Sequence, residues 1–210
     1  MNQQRRIVLS TALALAPLAL LRPLAAAAQQ RENFIEIEPP LPVEANGKIE
    51  VVELFWYGCI HCYNLEPALE GWLKKLPRDV AFRRVPAVFG PQYEFDAAIF
   101  YAFEALGVLP KVHKAFFDAI FKDHLQRTDK EAMQQWLEKN GIDQKKFDEA
   151  LKSFGVQSKT RRAKQLTIDY KIDGTPAVGV NGRYTVAAGD GLFPTIDMLV
   201  DRERKKSKKK

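Results

Sequence analysis

Two cysteines separated by two residues are the part of this sequence whose residue types and spacing can do chemistry. Cys59 and Cys62 are the only cysteines in the chain of 210 residues. A zinc site needs four ligands, but there is no second cysteine pair. A c-type haem needs a histidine directly after the second cysteine, where this chain has Tyr63. Copper held by both cysteines and His61 has no specific support from the spacing, so we predict no metal site.

A disulfide between the two cysteines is the remaining interpretation. A purely structural bridge would close a loop of only about four residues, and so short a loop gives little stabilisation by chain entropy. The pair therefore favours a redox-active disulfide, Cys59–Cys62, that exchanges with other thiols.

The elements around the cysteines favour the same chemistry. The apolar, branched segment 49–56 predicts a strand covered on both faces, and 62–76 has apolar residues at helical spacing. At the start of that helix, free backbone N–H groups and the helix dipole would stabilise a thiolate on Cys59. We expect His61 to add a donor or a partial positive charge, and Cys62 to be buried and to act as the resolving thiol. A stabilised thiolate makes the disulfide form a stronger oxidant.

Two further features could contribute to such a site. Glu53 interrupts the apolar strand six residues before Cys59, and a carboxylate there is either functional, paired, or exposed at a sheet edge. If buried, it would relay protons or tune the thiol pKa. The segment Gly174-Thr175-Pro176 is either a loop with a cis peptide bond beside the site or an ordinary turn before a strand.

The N-terminal 28 residues predict export. Arg5 and Arg6 precede an apolar stretch over 7–21, and small residues allow cleavage near Ala28. An uncleaved anchor is the alternative, and the arginine pair leaves Sec and twin-arginine export both open. The mature protein is therefore expected beyond the inner membrane, in the periplasm, where disulfides persist.

The charge distribution argues against nucleic-acid binding. The formal net charge is +6, but residues 29–201 carry 22 basic and 25 acidic side chains, so the folded body is mildly acidic. The excess positive charge lies in the signal segment and in the basic tail, residues 204–210, which we expect to be solvated and disordered.

The order of elements predicts an α/β fold with a helical insertion. Residues 29–91 and 156–203 contain the strand patterns, whereas 92–155 is helical throughout and predicts an inserted all-helical domain. The predicted strands are 34–38, 49–56, 80–89, 177–180 and 184–187, the last two joined by an Asn181-Gly182 hairpin turn. The predicted helices after the first are 92–106, 110–122, a helix from the capping box Thr128–Glu131 to 140–141, then 143–153, 158–170 and 192–203.

Taken together, these residues resemble the DsbA family of periplasmic thiol:disulfide interchange proteins. The resemblance rests on the stretch 55–63, on Glu53 and Glu66 beside it, and on the segment 174–184. It implies a thioredoxin fold with an inserted helical domain. By position it implies that Cys59 is the exposed nucleophile, Cys62 the resolving cysteine and Glu53 a buried acid. Thr175 and Pro176 would form a cis-proline loop that binds the substrate backbone.

The resemblance also implies a function. A dithiol oxidase would donate its disulfide to reduced exported proteins through a mixed disulfide at Cys59. A quinone-linked oxidase of the inner membrane would then restore the disulfide, and no other cofactor is implied. The protein is expected to be monomeric. The alternatives are an isomerase or reductase on the same fold, or a chaperone-like binding module. Ile60 replaces the proline that is commonest in the family and adds an apolar group at the substrate-binding rim.

Overall fold

A computed structural model describes residues 33–207 of the chain. The predicted signal peptide and its cleavage position lie outside the described residues. The elements in chain order are β1 (Phe34–Glu36), β2 (Ile49–Phe55), α1 (Ile60–Leu73), β3 (Val80–Pro86), α2 (Pro91–Ala105), α3 (Leu109–Phe121), α4 (Lys130–Lys139), α5 (Gln144–Lys152), α6 (Phe154–Asp169), β4 (Ala177–Val180), β5 (Tyr184–Ala187) and α7 (Leu192–Ser207). Within this range, no helix has both the length and the apolar character needed to cross a bilayer.

The strands form one mixed sheet in the order β1-β5-β4-β2-β3. Strand β2 lies between β3, to which it is parallel, and β4, to which it is antiparallel. Every residue of β2 is buried, including Glu50 and Glu53, as its mostly apolar pattern predicts for a strand covered on both faces. One apolar cluster, which includes Phe55, lies on the face of the helices that follow β3, and the other includes Leu199 of α7. The strand that leads to the cysteines is therefore enclosed on both faces.

Five consecutive helices, α2 to α6, follow β3 and precede β4. This order confirms the predicted α/β architecture with a helical insertion. The exact boundaries of the inserted helical domain, residues 92 and 155, stay predictions. The hairpin between β4 and β5 turns at Asn181 and Gly182, with φ of 50° and 63°, the pair of positive φ angles that a two-residue type I′ turn requires.

Helix α1 ends at Leu73 and strand β3 at Pro86, each three residues before the predicted end. Three further helix ends differ from the predictions. Helix α4 is capped by Asp129, whose side chain accepts from the N–H groups of Glu131 and Ala132, so the prediction of Thr128 as the capping residue is wrong. Helix α6 begins at Phe154, because the hydroxyl of Ser153 caps it by accepting from the third N–H of the turn.

The third difference is at the C-terminus. Helix α7 continues to Ser207, so the predicted disorder of the basic tail is wrong for residues 204–207. The last turn is held by Glu203, which is buried and accepts hydrogen bonds from Asn181 and Tyr184. A carboxylate paired with the hairpin in this way ties the end of the helix to the sheet.

Candidate active site

Cys59 is the N-cap residue of α1, at the point where the chain leaves β2. Its Sγ accepts from the backbone N–H of Cys62 at 3.2 Å. The pKa of the Cys59 thiol is lowered to about 5, first by the hydrogen bond from the Cys62 side chain and further by the backbone N–H groups of Cys62 and His61, although burial opposes the shift. The backbone N–H groups of Cys62 and His61 are unpaired donors of the kind that every helix start offers. The predicted position of Cys59 at the helix start is therefore confirmed.

The two thiols lie in opposite environments. Cys62 is fully buried, whereas 8% of Cys59 is exposed, and both are free thiols in this structure. Burial and the hydrogen bond with Cys59 raise the pKa of the Cys62 thiol far above its ordinary value. At neutral pH, Cys59 is a thiolate and Cys62 a protonated thiol. A substrate can therefore reach one sulfur only, and that sulfur is the better leaving group.

Glu53 lies inside β2 and is completely buried, so the alternative of an exposed edge position is wrong. Its Oε2 is 3.0 Å from Nε of Arg84, which lies opposite on β3, but neither carboxylate oxygen makes a well-directed hydrogen bond. Burial is the largest cause that raises the pKa of Glu53 to about 8, against the charge of Arg84. Glu53 is therefore mostly protonated at neutral pH.

Arg84 also pairs with Glu66 of α1, through two hydrogen bonds of 2.9 and 3.1 Å from Nη2. Although burial opposes it, the hydrogen bond from His113 and the charge of Arg84 hold the pKa of Glu66 below its ordinary value. With Glu53 protonated, the buried cluster of Glu53, Arg84 and Glu66 has no net charge, which keeps the cost of burial low.

His113 of α3 extends this cluster into the inserted helices. Its Nε2 is 3.5 Å from Oε1 of Glu66, and its Nδ1 is 2.9 Å from the hydroxyl of Tyr57. Burial lowers the pKa of His113, so the ring is neutral at pH 7. The sequence analysis missed Arg84, Tyr57 and His113. A charged residue within a strand pattern was the available signal for Arg84, whereas nothing near His113 in the sequence points to the site.

Thr175 and Pro176 lie directly against the cysteines. The peptide bond between them is cis, and the carbonyl oxygen of Thr175 lies 3.2 Å from Sγ of Cys59, from which it accepts a hydrogen bond when Cys59 is the protonated thiol. On one side of this loop, a groove of about 670 Å³ is lined by both residues, by His61 and by apolar side chains that include Leu65 and Phe193. Ile60 is 44% exposed. The structure thus places Thr175, Pro176 and His61 around one groove, whereas the role of Ile60 in substrate binding stays a prediction.

Trp56 is a further residue that the sequence analysis missed. Its indole Nε1 donates to Asp96 of α2 at 2.7 Å, and Nε of Arg127 donates to the other oxygen at 2.8 Å. A Cβ added to Gly58 would lie 2.3 Å from the indole, and the carbonyl of Trp56 accepts from the N–H of Cys59. The indole therefore joins the active-site turn to the inserted helices, and only glycine fits between them.

Within residues 33–207, no group of three or more His, Cys, Asp or Glu side chains is arranged to hold a metal ion. That no cofactor is required beyond the cysteine pair stays a prediction.

Comparison with known proteins places this arrangement in a family. The model of the DSBA-like thioredoxin domain matches residues 63–199. The chain belongs to this family. The thiol:disulfide interchange protein DsbA of Azotobacter vinelandii is 46% identical over 177 residues, which are 82% of this chain and 83% of the relative. DsbA of Pseudomonas aeruginosa is 38% identical over 210 residues, covering 98% of this chain and all of the relative.

Solved structures agree with the sequence relatives. The crystal structure of Pseudomonas aeruginosa DsbA superposes with a TM-score of 0.78 at 40% identity, covering 84% of this chain and 95% of that one. DsbA of Xylella fastidiosa gives a TM-score of 0.77 at 32% identity. These relatives confirm the thioredoxin-like α/β fold. This member of the DsbA family is a thiol:disulfide oxidoreductase.

Proposed function

We propose that the protein is a periplasmic dithiol oxidase that donates its Cys59–Cys62 disulfide to exported proteins. The observation that carries this proposal is the difference between the two sulfur atoms. Cys59 is held as a thiolate by its hydrogen bonds, with a pKa of about 5, whereas Cys62 stays protonated in the core. A site that stabilises the product thiolate stabilises the reduced protein, and the disulfide form then becomes the oxidant.

The reaction proceeds in two exchanges. A substrate thiolate attacks Sγ of Cys59, the bond between Cys59 and Cys62 breaks, and Cys62 leaves as a thiolate that takes up a proton. The second substrate thiolate then attacks the substrate sulfur of the mixed disulfide and releases Cys59. Two electrons pass to the protein, and the substrate keeps a new disulfide. The second exchange is favourable because Cys59 leaves as a stabilised thiolate.

We propose that Glu53 supplies the proton that the Cys62 thiolate takes up in the first exchange. This carboxyl group is buried in the strand that leads to Cys59 and has a pKa of about 8. It therefore holds a proton at the pH of the reaction and can give it up to a stronger base such as a newly formed Cys62 thiolate. Arg84 would stabilise the carboxylate that is left.

Substrate binding is assigned to the surface around the cis peptide bond. Thr175 and Pro176 present their backbone beside Cys59, and His61 and Ile60 complete the rim. We further propose that the mature protein acts as a monomer, that reduced exported proteins are its substrates, and that a quinone-linked inner-membrane oxidase restores the disulfide. The predicted signal peptide and the family's thiol:disulfide interchange activity support these proposals.

Trapping of the mixed disulfide tests the proposal. In Cys62→Ala, the Cys59 thiolate can attack a disulfide of an exported protein and release one of its sulfur atoms as a thiolate, but the variant has no second thiol to resolve the mixed disulfide. Exported proteins should therefore accumulate as covalent adducts on Cys59, visible on non-reducing gels and lost on reduction. The matched control Cys59→Ala leaves the buried thiol alone and should give no adducts. Equal adduct levels in the two variants, or no adducts in either, would contradict the assignment of Cys59 as the nucleophile.

A further inference from the structure

A second groove lies on the other side of the Thr175–Pro176 loop. Its volume is about 530 Å³, and it shares Thr175 and Pro176 with the groove beside His61. Its remaining walls come from Ile35 of β1, from Ala187 at the end of β5, and from residues 171–174, which join α6 to β4. The groove is therefore continuous with the loop that contacts Cys59, although it lies on the opposite face of the sheet from α1 and α7.

The groove exists because the helices do not cover this corner of the sheet. Ile35 pairs with Thr185 across the β1–β5 ladder, and Thr185 donates to the carbonyl of Tyr170 at 2.7 Å, just beyond the end of α6. None of the helices within residues 33–207 contributes a residue to the groove, and Ile35 is 47% exposed. Ala187 shares this face, since it lies two residues after Thr185 on β5. Among residues 33–207, the result is an apolar sheet surface that no helix covers beside the active site.

Small side chains leave space in the groove, and charged side chains lie at its rim. The chain has Gly174, Ala187 and Ala188 where larger residues would fill the groove. Lys171 and Asp173 stand at its rim, and neither takes part in an ion pair within residues 33–207. An occupant would thus meet an apolar floor and one charge of each sign, which suits an uncharged peptide segment with an apolar side chain better than an anion or a cation.

We propose that this groove is a second substrate subsite, which takes an apolar side chain of the polypeptide close to its reacting cysteine. The proposal rests on the dithiol oxidase function proposed above. A polypeptide whose sulfur reaches Cys59 must pass over Thr175 and Pro176, and both residues line the groove on each side of the loop. The subsite would therefore bind a residue on one side of the substrate cysteine, while the groove beside His61 binds the residues on the other side.

The test compares substrates that reach the groove with one that does not. Two pairs of dithiol peptides are used. In one pair, leucine or serine precedes the reacting cysteine, and in the other pair, leucine or serine follows it. Dithiothreitol serves as the small dithiol. We expect the wild type to prefer leucine on one side by about tenfold in kcat/KM, the size of effect that an apolar pocket gives. Ala187→Phe fills the groove and should abolish that preference, whereas Ala187→Ser should retain it.

Oxidation of dithiothreitol should proceed at the wild-type rate in both variants, because it does not enter the groove. If Ala187→Phe slows this reaction as well, Ile35→Ser replaces it, since the exposed edge residue can lose its apolar side chain without disturbing the core. A leucine preference that is absent in the wild type, or unchanged in these variants, overturns the subsite. Failure to oxidise dithiothreitol and every peptide would instead overturn the dithiol oxidase function.

Discussion

Replacing Glu53 by glutamine tests how a buried acid contributes to this site. The wild-type carboxyl has a pKa of about 8, whereas the ordinary value is 4.5. Between these two pH values the folded protein holds a proton that the unfolded chain has released. Stability must therefore fall as the pH rises from 4.5 towards 8, and change no further above that range. Glutamine keeps the shape of the protonated acid and cannot ionise.

The size of the effect follows from the pKa values. Each pH unit corresponds to about 1.4 kcal/mol per proton, so the interval from 4.5 to about 8 corresponds to an upper limit of about 5 kcal/mol. Arg84 is not left without a partner in Glu53→Gln, because Glu66 still binds it through two hydrogen bonds. The variant should match the wild type near pH 5 and become the more stable protein by a few kcal/mol near pH 8.

Urea unfolding of the reduced proteins measures this difference. Reduction is needed because the pKa values of Glu53 and Cys59 refer to the protein in which both cysteines are free thiols. The lowered pKa of Cys59 gives both proteins a slope of opposite sign, so their comparison isolates the contribution of Glu53 and its coupling to Cys59. Glu149→Gln, at an exposed position of α5, is the matched control for the loss of one carboxyl group. A constant difference between Glu53→Gln and the wild type would mean that Glu53 is ionised in the folded state, and the reasoning would fail.

Three further changes follow from the same contacts. The alkylation rate of Cys59 in the reduced protein should be half-maximal near pH 5, as its pKa requires. Thiolate absorbance measured against pH checks the same pKa. A titration midpoint near that of free cysteine would refute the stabilisation of the thiolate by the helix start. Gly58→Ala should displace the Trp56 indole, since the added Cβ would lie 2.3 Å from it, and lower the unfolding free energy by about 1–3 kcal/mol; unchanged urea unfolding would contradict the contact. Arg84→Met leaves two buried carboxyl groups without their cation. It should lower the free energy of unfolding by about 3–5 kcal/mol at neutral pH and by less in acid. An equal loss at both pH values would argue against charge as the cause.

The sequence was sufficient for features that depend on neighbouring residues. The Cys59–Cys62 spacing excluded other cysteine chemistry, and the strand followed by a helix placed Cys59 at an N-cap. The turn at Asn181-Gly182 was equally clear, because two adjacent residues with positive φ almost specify it. The helix ends were less reliable. Both Thr128 and Asp129 can cap a helix, and only the path of the chain decides which side chain meets the free N–H groups.

The sequence by itself predicted that the two cysteines exchange disulfides, because that chemistry needs only two sulfur atoms, their spacing and a helix start. Tertiary structure alone decided how they are tuned. The carbonyl that contacts Cys59 lies 116 residues further along the chain, and Arg84 meets Glu53 only through the register of β2 and β3. A pKa depends on burial and on charges within a few ångströms, and the distant elements that supply both come together only when the chain folds.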